Sequence, residues 1–438
     1  MMSKQITRRS FNRRSTVALG IAASTATTGA ASVLGANARI RLGFLGVANR
    51  GGQLMDAFLE HEDAQIVALC DVDQRAFATS RPKVPGNVDL QHDFRRLLDR
   101  DDIDAIVIAT PDHWHAVQTV MSCDAGKDVY VEKPLSVTIH EGRCMVQAAR
   151  RNKCVVQVGT HRRSSPLYSE LAKRVQADRY GKICISRAYR LSNMYPDGIG
   201  KKKPQAPPDQ LDWDMWLGPR PWQPYQETIA PYRFRWWQLF SSQMANWGVH
   251  YLDAIRWCTG ELAPRSISAL GGRFAVDDDR TIPDTMEVTF QFDSGRLAVF
   301  GQYETSSNPI FPSGEIEMRG TQGTVYANAG SFQVIPERGG QFQDRAPRME
   351  PEEVSAPGTN KNLTALHARN FLDCIRTRTK PNADIEIGHR STTFSLLANI
   401  SLSVGERLEW DATEERFINS DQANELLHYE YRKPWKLG

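Results

Sequence analysis

Through the first third of the chain, short apolar runs alternate with stretches of helical period. The runs cover 40–45, 66–70, 105–109, 129–131 and 155–158. Between the first two, Leu54, Met55, Phe58 and Leu59 fall on one helical face. Runs that are apolar on both faces and separated by helices predict a doubly wound parallel sheet. Past Thr160 the rhythm changes. Met286, Val288, Phe290 and Phe292 alternate with Thr285, Glu287, Thr289 and Gln291, the signature of a strand with one buried face. Asp293-Ser294-Gly295 then turns the chain into a second strand over 296–303. Further strands are expected at 183–191, 267–274, 316–319 and 324–327, and a helix carrying His367, Phe371 and Ile375 begins near Leu363. The fold class expected is α/β plus α+β: a parallel sheet over 39–160, then an open, mostly antiparallel sheet with helices on one face over 161–438.

Composition adds limits. The 438 residues are 24% charged and 41% hydrophobic, with a formal net charge of +3. That balance gives no reason to expect a nucleic-acid or membrane-surface partner. The seven cysteines are scattered without a CxxC pair, so buried thiols fit better than a disulfide framework, and no metal site is expected. The N-terminus reads as an address. Arg8-Arg9 precede a small-residue, weakly apolar stretch and an Ala36-Asn37-Ala38 cleavage pattern. Residues 1–38 are therefore expected to be a twin-arginine export signal, with a periplasmic or extracellular mature protein and no membrane anchor after cleavage.

The first strand ends in a glycine turn. Gly46 permits the tight bend, Ala48 is small enough for backbone to approach a pyrophosphate, and Gly51 lets the following helix pack on the strand. The helix N-terminus, with Asn49 and Arg50, would face the negative charge. Ala48 replaces the usual second glycine. Asp71 follows the second strand, where a carboxylate binds a ribose 2′-hydroxyl and repels a 2′-phosphate, favouring NAD over NADP. The alternative is that Asp71 only caps a helix starting near Asp73. The aromatic and basic run 232–237 brings Arg235 forward as a sugar contact, although core packing of its tryptophans fits equally well.

Glu132-Lys133-Pro134, Ala109-Thr110-Pro111-Asp112-His113-Trp114-His115, the segments 157–160 and 212–219, and Asn246-Trp247-Gly248-Val249-His250 occur in an order and spacing that resemble the glucose–fructose oxidoreductase/inositol dehydrogenase/MocA family. The likeness spans the mature chain. It implies a Rossmann domain over 39–160 and a C-terminal segment that returns to pack beside it. It places Thr110, Pro111, His113 and His115 on the nicotinamide side. It puts Lys133 beside the reacting carbon–oxygen bond, oriented by Glu132, with the Lys133-Pro134 bond often cis. It makes His250 the second catalytic group. The carboxylate expected four residues before that histidine is Asn246 here, which can hold a hydroxyl but cannot act as a base. His161 and Arg162 fall at the cleft in similar sequences. Asp253 reads as structural.

Three activities are compatible with these residues. The first is NAD-dependent oxidation of a sugar, sugar derivative or polyol by hydride transfer. The second is a redox-neutral glycoside hydrolase or lyase that passes through a transient keto-sugar and keeps its NAD, which export would favour. The third is a sugar- and NAD-binding protein without catalysis. The partners expected are a carbohydrate substrate and further copies of the chain, as a dimer or tetramer.

Overall fold

The six strands of the first sheet are β1 (Ile40–Leu45), β2 (Ala64–Cys70), β3 (Asp89–Gln91), β4 (Ala105–Ile108), β5 (Asp128–Val131) and β6 (Val156–Val158). All pair in parallel, in the order β3-β2-β1-β4-β5-β6. The computed structural model of the chain describes residues 39–437, apart from 357 and 359–361. The export signal expected over 1–38 lies outside the described residues. Order reverses between β1 and β4, so a crevice opens beyond their carboxyl ends. β4 and β5 are buried at every position, as a sheet covered on both faces requires. β3 is the strand that the apolar pattern does not announce. It is a three-residue edge strand, Asp-Leu-Gln, held by backbone pairing to β2 alone.

The second sheet contains β7 (Ile183–Asn193), β8 (Ser266–Gly272), β9 (Thr285–Gln291), β10 (Leu297–Tyr303), β11 (Thr305–Ser306), β12 (Ile316–Gly320), β13 (Gly323–Ala327), β14 (Ser331–Pro336), β15 (Glu352–Ser355), β16 (Leu408–Asp411) and β17 (Arg416–Phe417). Its central order is β12-β7-β10-β9-β8, antiparallel except for the β7–β10 pair. Helices Pro166–Gln176, Val249–Thr259 and Ile385–Val404 bury one face of this sheet around Phe290, Phe300 and Phe394. Asp253 is structural, as expected: it is 1% exposed, ion-paired to Arg163 at 2.9 Å and bonded by Ser391.

The chain then comes back. Helix Leu363–Thr377 inserts Ala368, Phe371, Leu372 and Cys374 into the core of the first sheet, beside Phe44 and Phe58. Its His367 donates no bond to the cleft and instead meets the carbonyl of Val158 at 2.9 Å. Further on, Trp435 sits against Phe94 and Trp114, with ring centroids at 6.1 and 4.7 Å. All seven cysteines are free thiols; five are buried, Cys144 is half-buried and Cys184 is exposed.

Candidate active site

The crevice beyond β1 and β4 is a cleft of about 390 Å³. Gly46 sits at φ +77°, and a β-carbon there would stand 2.7 Å from the Ala109 carbonyl carbon and the Thr110 nitrogen. A β-carbon at Gly51 would stand 2.0 Å from the Gly46 carbonyl oxygen. The turn can therefore lie this close to its neighbours only because both positions are glycine. Helix Asn49–Leu59 follows, and its cap residue Ala48 offers no side-chain bond to the first turn. Its leading N–H groups therefore face the cleft, a ready site for an anion.

Asp71 forms part of the cleft wall, with its oxygens accepting from Val47 N (2.9 Å) and Asp73 N (3.0 Å). Burial raises its carboxyl pKa, and those backbone bonds oppose the shift. The helical cap here is Asp73, which accepts from Arg75 N, so the capping alternative for Asp71 is removed. The cradle, the uncapped helix end and the carboxylate after β2 fit a dinucleotide. Thr110 and Pro111 line the same cleft.

A second cleft of about 480 Å³ adjoins the first, and Asn49, Arg50, Thr110 and Arg235 line both. Lys133 stands in its wall. The Lys133-Pro134 peptide is cis. The ammonium donates to the backbone carbonyl of Asn246 at 3.0 Å and to its Oδ1 at 2.7 Å. Burial holds the Lys133 pKa down to about 8; Arg235 and Arg50 push the same way, while Glu132 and Asp112 oppose them. The Asn246 carbonyl reaches Lys133 from a π-turn, Met244–Gly248, where the regular helical ladder is interrupted.

Several expected contacts turn out differently. Asn246 lines the cleft, but its oxygen receives Lys133 and its amide nitrogen donates to Gln243 at 3.2 Å. In this arrangement it positions the lysine. Glu132 is 3% exposed; it accepts from Arg50 Nε at 2.8 Å and from the backbone N of Lys133 at 3.2 Å. It therefore fixes the Lys133 backbone and Arg50, not the ammonium. His113 is not a cofactor contact: it is fully buried between Trp216 and Phe240 and donates to the Trp216 carbonyl at 2.9 Å. Burial takes its pKa down to about 3. His115 reaches the second cleft, but its two nitrogens face the carbonyls of Pro134 (2.7 Å) and Thr110 (3.0 Å), tying the two loops together.

Arg162 turns away into the second domain, where it pairs with Glu315 at 2.5 Å and lies over Tyr251. His161 and His250 are half-buried, their rings 5.6 Å apart, and His161 accepts from Arg50 at 3.4 Å. Burial holds both imidazoles well below their ordinary pKa, reinforced by the neighbouring cations Lys133, Arg162 and Arg50. Both are neutral bases. Arg235 faces both clefts as expected. Its neighbours divide: Trp237 donates inward to the Thr228 carbonyl, whereas Trp236 lines the second cleft.

Three charged residues of the second cleft were not anticipated: Asp112, Arg190 and Glu304. Asp112 lies inside a motif already singled out, and Ser241 donates to its carboxylate. Arg190 shares a strand face with the core residue Ala188, and only the fold shows where that face leaves the core and meets the cleft. Glu304 accepts from Trp236 and, at 2.5 Å, from the fully buried Arg280. Its position depends on partners far away in sequence, so no local pattern marks it.

The family model described as the oxidoreductase family's NAD-binding Rossmann fold matches residues 40–160. The model of that family's C-terminal alpha/beta domain matches residues 182–437. Among curated proteins, the chain is similar to glycosyl hydrolase family 109 protein 1 of Shewanella sp. (strain ANA-3), 34% identical over 122 residues. An alpha-N-acetylgalactosaminidase of Shewanella oneidensis is 33% identical over 122 residues. Each match covers 26% of this chain and 27% of the relative, so the likeness spans about a quarter of these proteins. Among solved structures, the WlbA dehydrogenase from Bordetella pertussis in complex with NADH and UDP-GlcNAcA aligns with a TM-score of 0.64 at 20% identity. A levoglucosan dehydrogenase in complex with NADH and levoglucosan aligns with a TM-score of 0.66 at 17% identity. Each alignment covers 85% of this chain and 99% of the other, which shows a shared fold.

Proposed function

The chain belongs to the glucose–fructose oxidoreductase/inositol dehydrogenase/MocA oxidoreductase family, and from that premise we propose that it oxidises a hydroxyl of a sugar, sugar derivative or polyol. The observation that carries this reading is Lys133 in the wall of the second cleft, which adjoins the dinucleotide cleft, its amine fixed by Asn246 and its pKa pushed down to about 8 by burial. NAD, when bound, would supply the hydride acceptor. Gly46, Ala48, Gly51 and the start of helix Asn49–Leu59 would hold its pyrophosphate, and Asp71 would hold its ribose.

The proton is the task of Lys133. A tetrahedral nitrogen bonded to Cε has three positions left. Asn246 occupies two of them with its two oxygens. In the neutral amine both hydrogens point to Asn246, and the lone pair takes the third direction. Asn246, unable to act as a base itself, thus aims the base beside it. After transfer the same position carries an N–H that stabilises a developing alkoxide. His250, neutral and next to this group, is assigned a supporting part in orienting the substrate side. Purified protein supplied with NAD and a panel of sugars and polyols tests the reading by NADH absorbance. Failure of every compound to reduce NAD would remove it.

A pH signature follows. Oxidation needs the unprotonated lysine, which predominates above about 8. kcat/KM should therefore climb with pH and level off above that value. Asp112 favours the ammonium form, so Asp112→Asn should move the inflection to lower pH while keeping an acceptor for Ser241. An inflection that stays put or moves up contradicts the assignment.

Asp71 bears on cofactor choice. A carboxylate following β2 would repel a 2′-phosphate, so replacement of Asp71 by alanine should narrow the preference for NAD by about tenfold or more. Equal loss of NAD and NADP affinity would mean that Asp71 only holds the Val47 turn.

The second reading, redox-neutral glycoside cleavage with retained NAD, is favoured by the glycosyl hydrolase family 109 likeness. That likeness covers 26% of this chain. Release of an aryl leaving group from a glycoside without net NADH would select this reading over simple oxidation.

A further inference from the structure

Two guanidinium groups, those of Arg190 and Arg235, face the second cleft without a carboxylate partner among the described residues. Arg190 lies over the ring of Trp247, its central carbon 3.9 Å from the centroid. Arg235 lies over Tyr232 at 4.2 Å and Phe234 at 4.6 Å, and it donates one N–H to the Tyr232 carbonyl at 3.0 Å. Aromatic stacking fixes the plane of a guanidinium and leaves its remaining N–H edge free. The third arginine lining this cleft, Arg50, is paired with Glu132 at 2.8 Å. Behind the cleft residue Glu304, the buried Arg280 is held between Asp278 at 2.8 Å and Glu304 at 2.5 Å.

Arg190 and Arg235 therefore bring to this cleft two guanidinium groups that no carboxylate among the described residues pairs. A carboxylate is the planar, two-oxygen acceptor that a guanidinium edge recognises. The cofactor does not account for Arg190, which lines the second cleft and not the dinucleotide cleft, whereas Arg235 lines both.

We propose that the substrate is an acidic sugar, of the uronic or aldonic kind, whose carboxylate is held by Arg190 and Arg235 while Lys133 faces the hydroxyl to be oxidised. This rests on the oxidoreductase reading above and narrows its substrate class.

The test uses the full chain with NAD and five probes: D-glucuronate, D-galacturonate, D-glucose, D-galactose and D-glucose 6-phosphate. Turnover is followed by NADH absorbance. Binding is followed by tryptophan fluorescence, since Trp236 and Trp247 line the cleft. At least one uronate should exceed its neutral counterpart by about tenfold or more in kcat/KM or in affinity. Arg190→Gln and Arg235→Gln should each raise the uronate KM by about 10–100-fold, and Arg190→Gln should leave the KM for NAD unchanged. Arg235→Lys, which keeps the charge but not the fork, should recover part of the loss. Preference for the neutral sugars overturns the proposal, as does preference for the phosphate ester. So does an arginine variant that shifts the KM for NAD instead of that for the uronate. Turnover of neutral sugars alone would leave the oxidoreductase reading standing without the acidic substrate. If no probe is bound, the acidic-sugar assignment falls, while the parent reading is decided separately by the wider panel and by Lys133.

Discussion

Lys133→Ala should lower kcat/KM for sugar oxidation by about 10³-fold and leave NAD binding within a few-fold of the native value. The expectation comes from geometry. Lys133 lines the second cleft, and its two bonds to Asn246 leave the third position of its nitrogen for the substrate hydroxyl. Lys133→Arg should not rescue it. A guanidinium stays charged and has no lone pair to offer at working pH. The paired measurements are initial rates with saturating NAD and a titration of NAD against the apo protein. A loss of less than tenfold in rate, with NAD still bound, would make the lysine a bystander and leave the mechanism without a base.

Gly51→Ala should act on the other half of the site. The added methyl would meet the Gly46 carbonyl oxygen at 2.0 Å and its carbon at 2.9 Å. Both belong to backbone, so no rotamer change can relieve the contact. The helix must move off the turn, at a cost of about 2–3 kcal/mol in folding stability, and the cradle for the pyrophosphate opens. NAD affinity should fall by about 100-fold or more. Gly52→Ala is the matched control. A methyl there meets only Lys83 Cε at 3.7 Å and the Val47 carbonyl oxygen at 3.9 Å, which is ordinary contact. It should be neutral or slightly stabilising. Thermal melts and NAD titrations of the two variants decide the matter; equal behaviour would deny the close approach at Gly51.

The doubly wound half was legible because both its strand faces are buried, so each long strand announces itself as an unbroken apolar run. β3 was not, because an edge strand of Asp-Leu-Gln takes its place from backbone pairing rather than side chains. In the second half, strict alternation over 285–292 marked β9 and its hairpin partner. The dinucleotide turn could be read residue by residue, since its steric demands are local. The substrate side was harder. His113 lies between Asp112 and Trp114, which do face the clefts, and local sequence cannot say which way a side chain turns; Arg162 turns away for the same reason. Glu304 and Arg190 enter the cleft because two sheets meet there. Asn246 illustrates the limit well. Its inability to act as a base was plain from its chemistry, whereas its service to Lys133 depended on a contact 113 residues apart.

The returning C-terminal segment has a consequence for biosynthesis. The cofactor-binding sheet completes its core with Ala368, Phe371, Leu372 and Cys374, and Trp435 packs against it beside Phe94 and Trp114. A nascent chain leaving the ribosome therefore carries all six strands of that sheet long before the parts that seal it have been made. Its apolar flank stays open during that interval, and the two halves cannot mature one after the other as independent units.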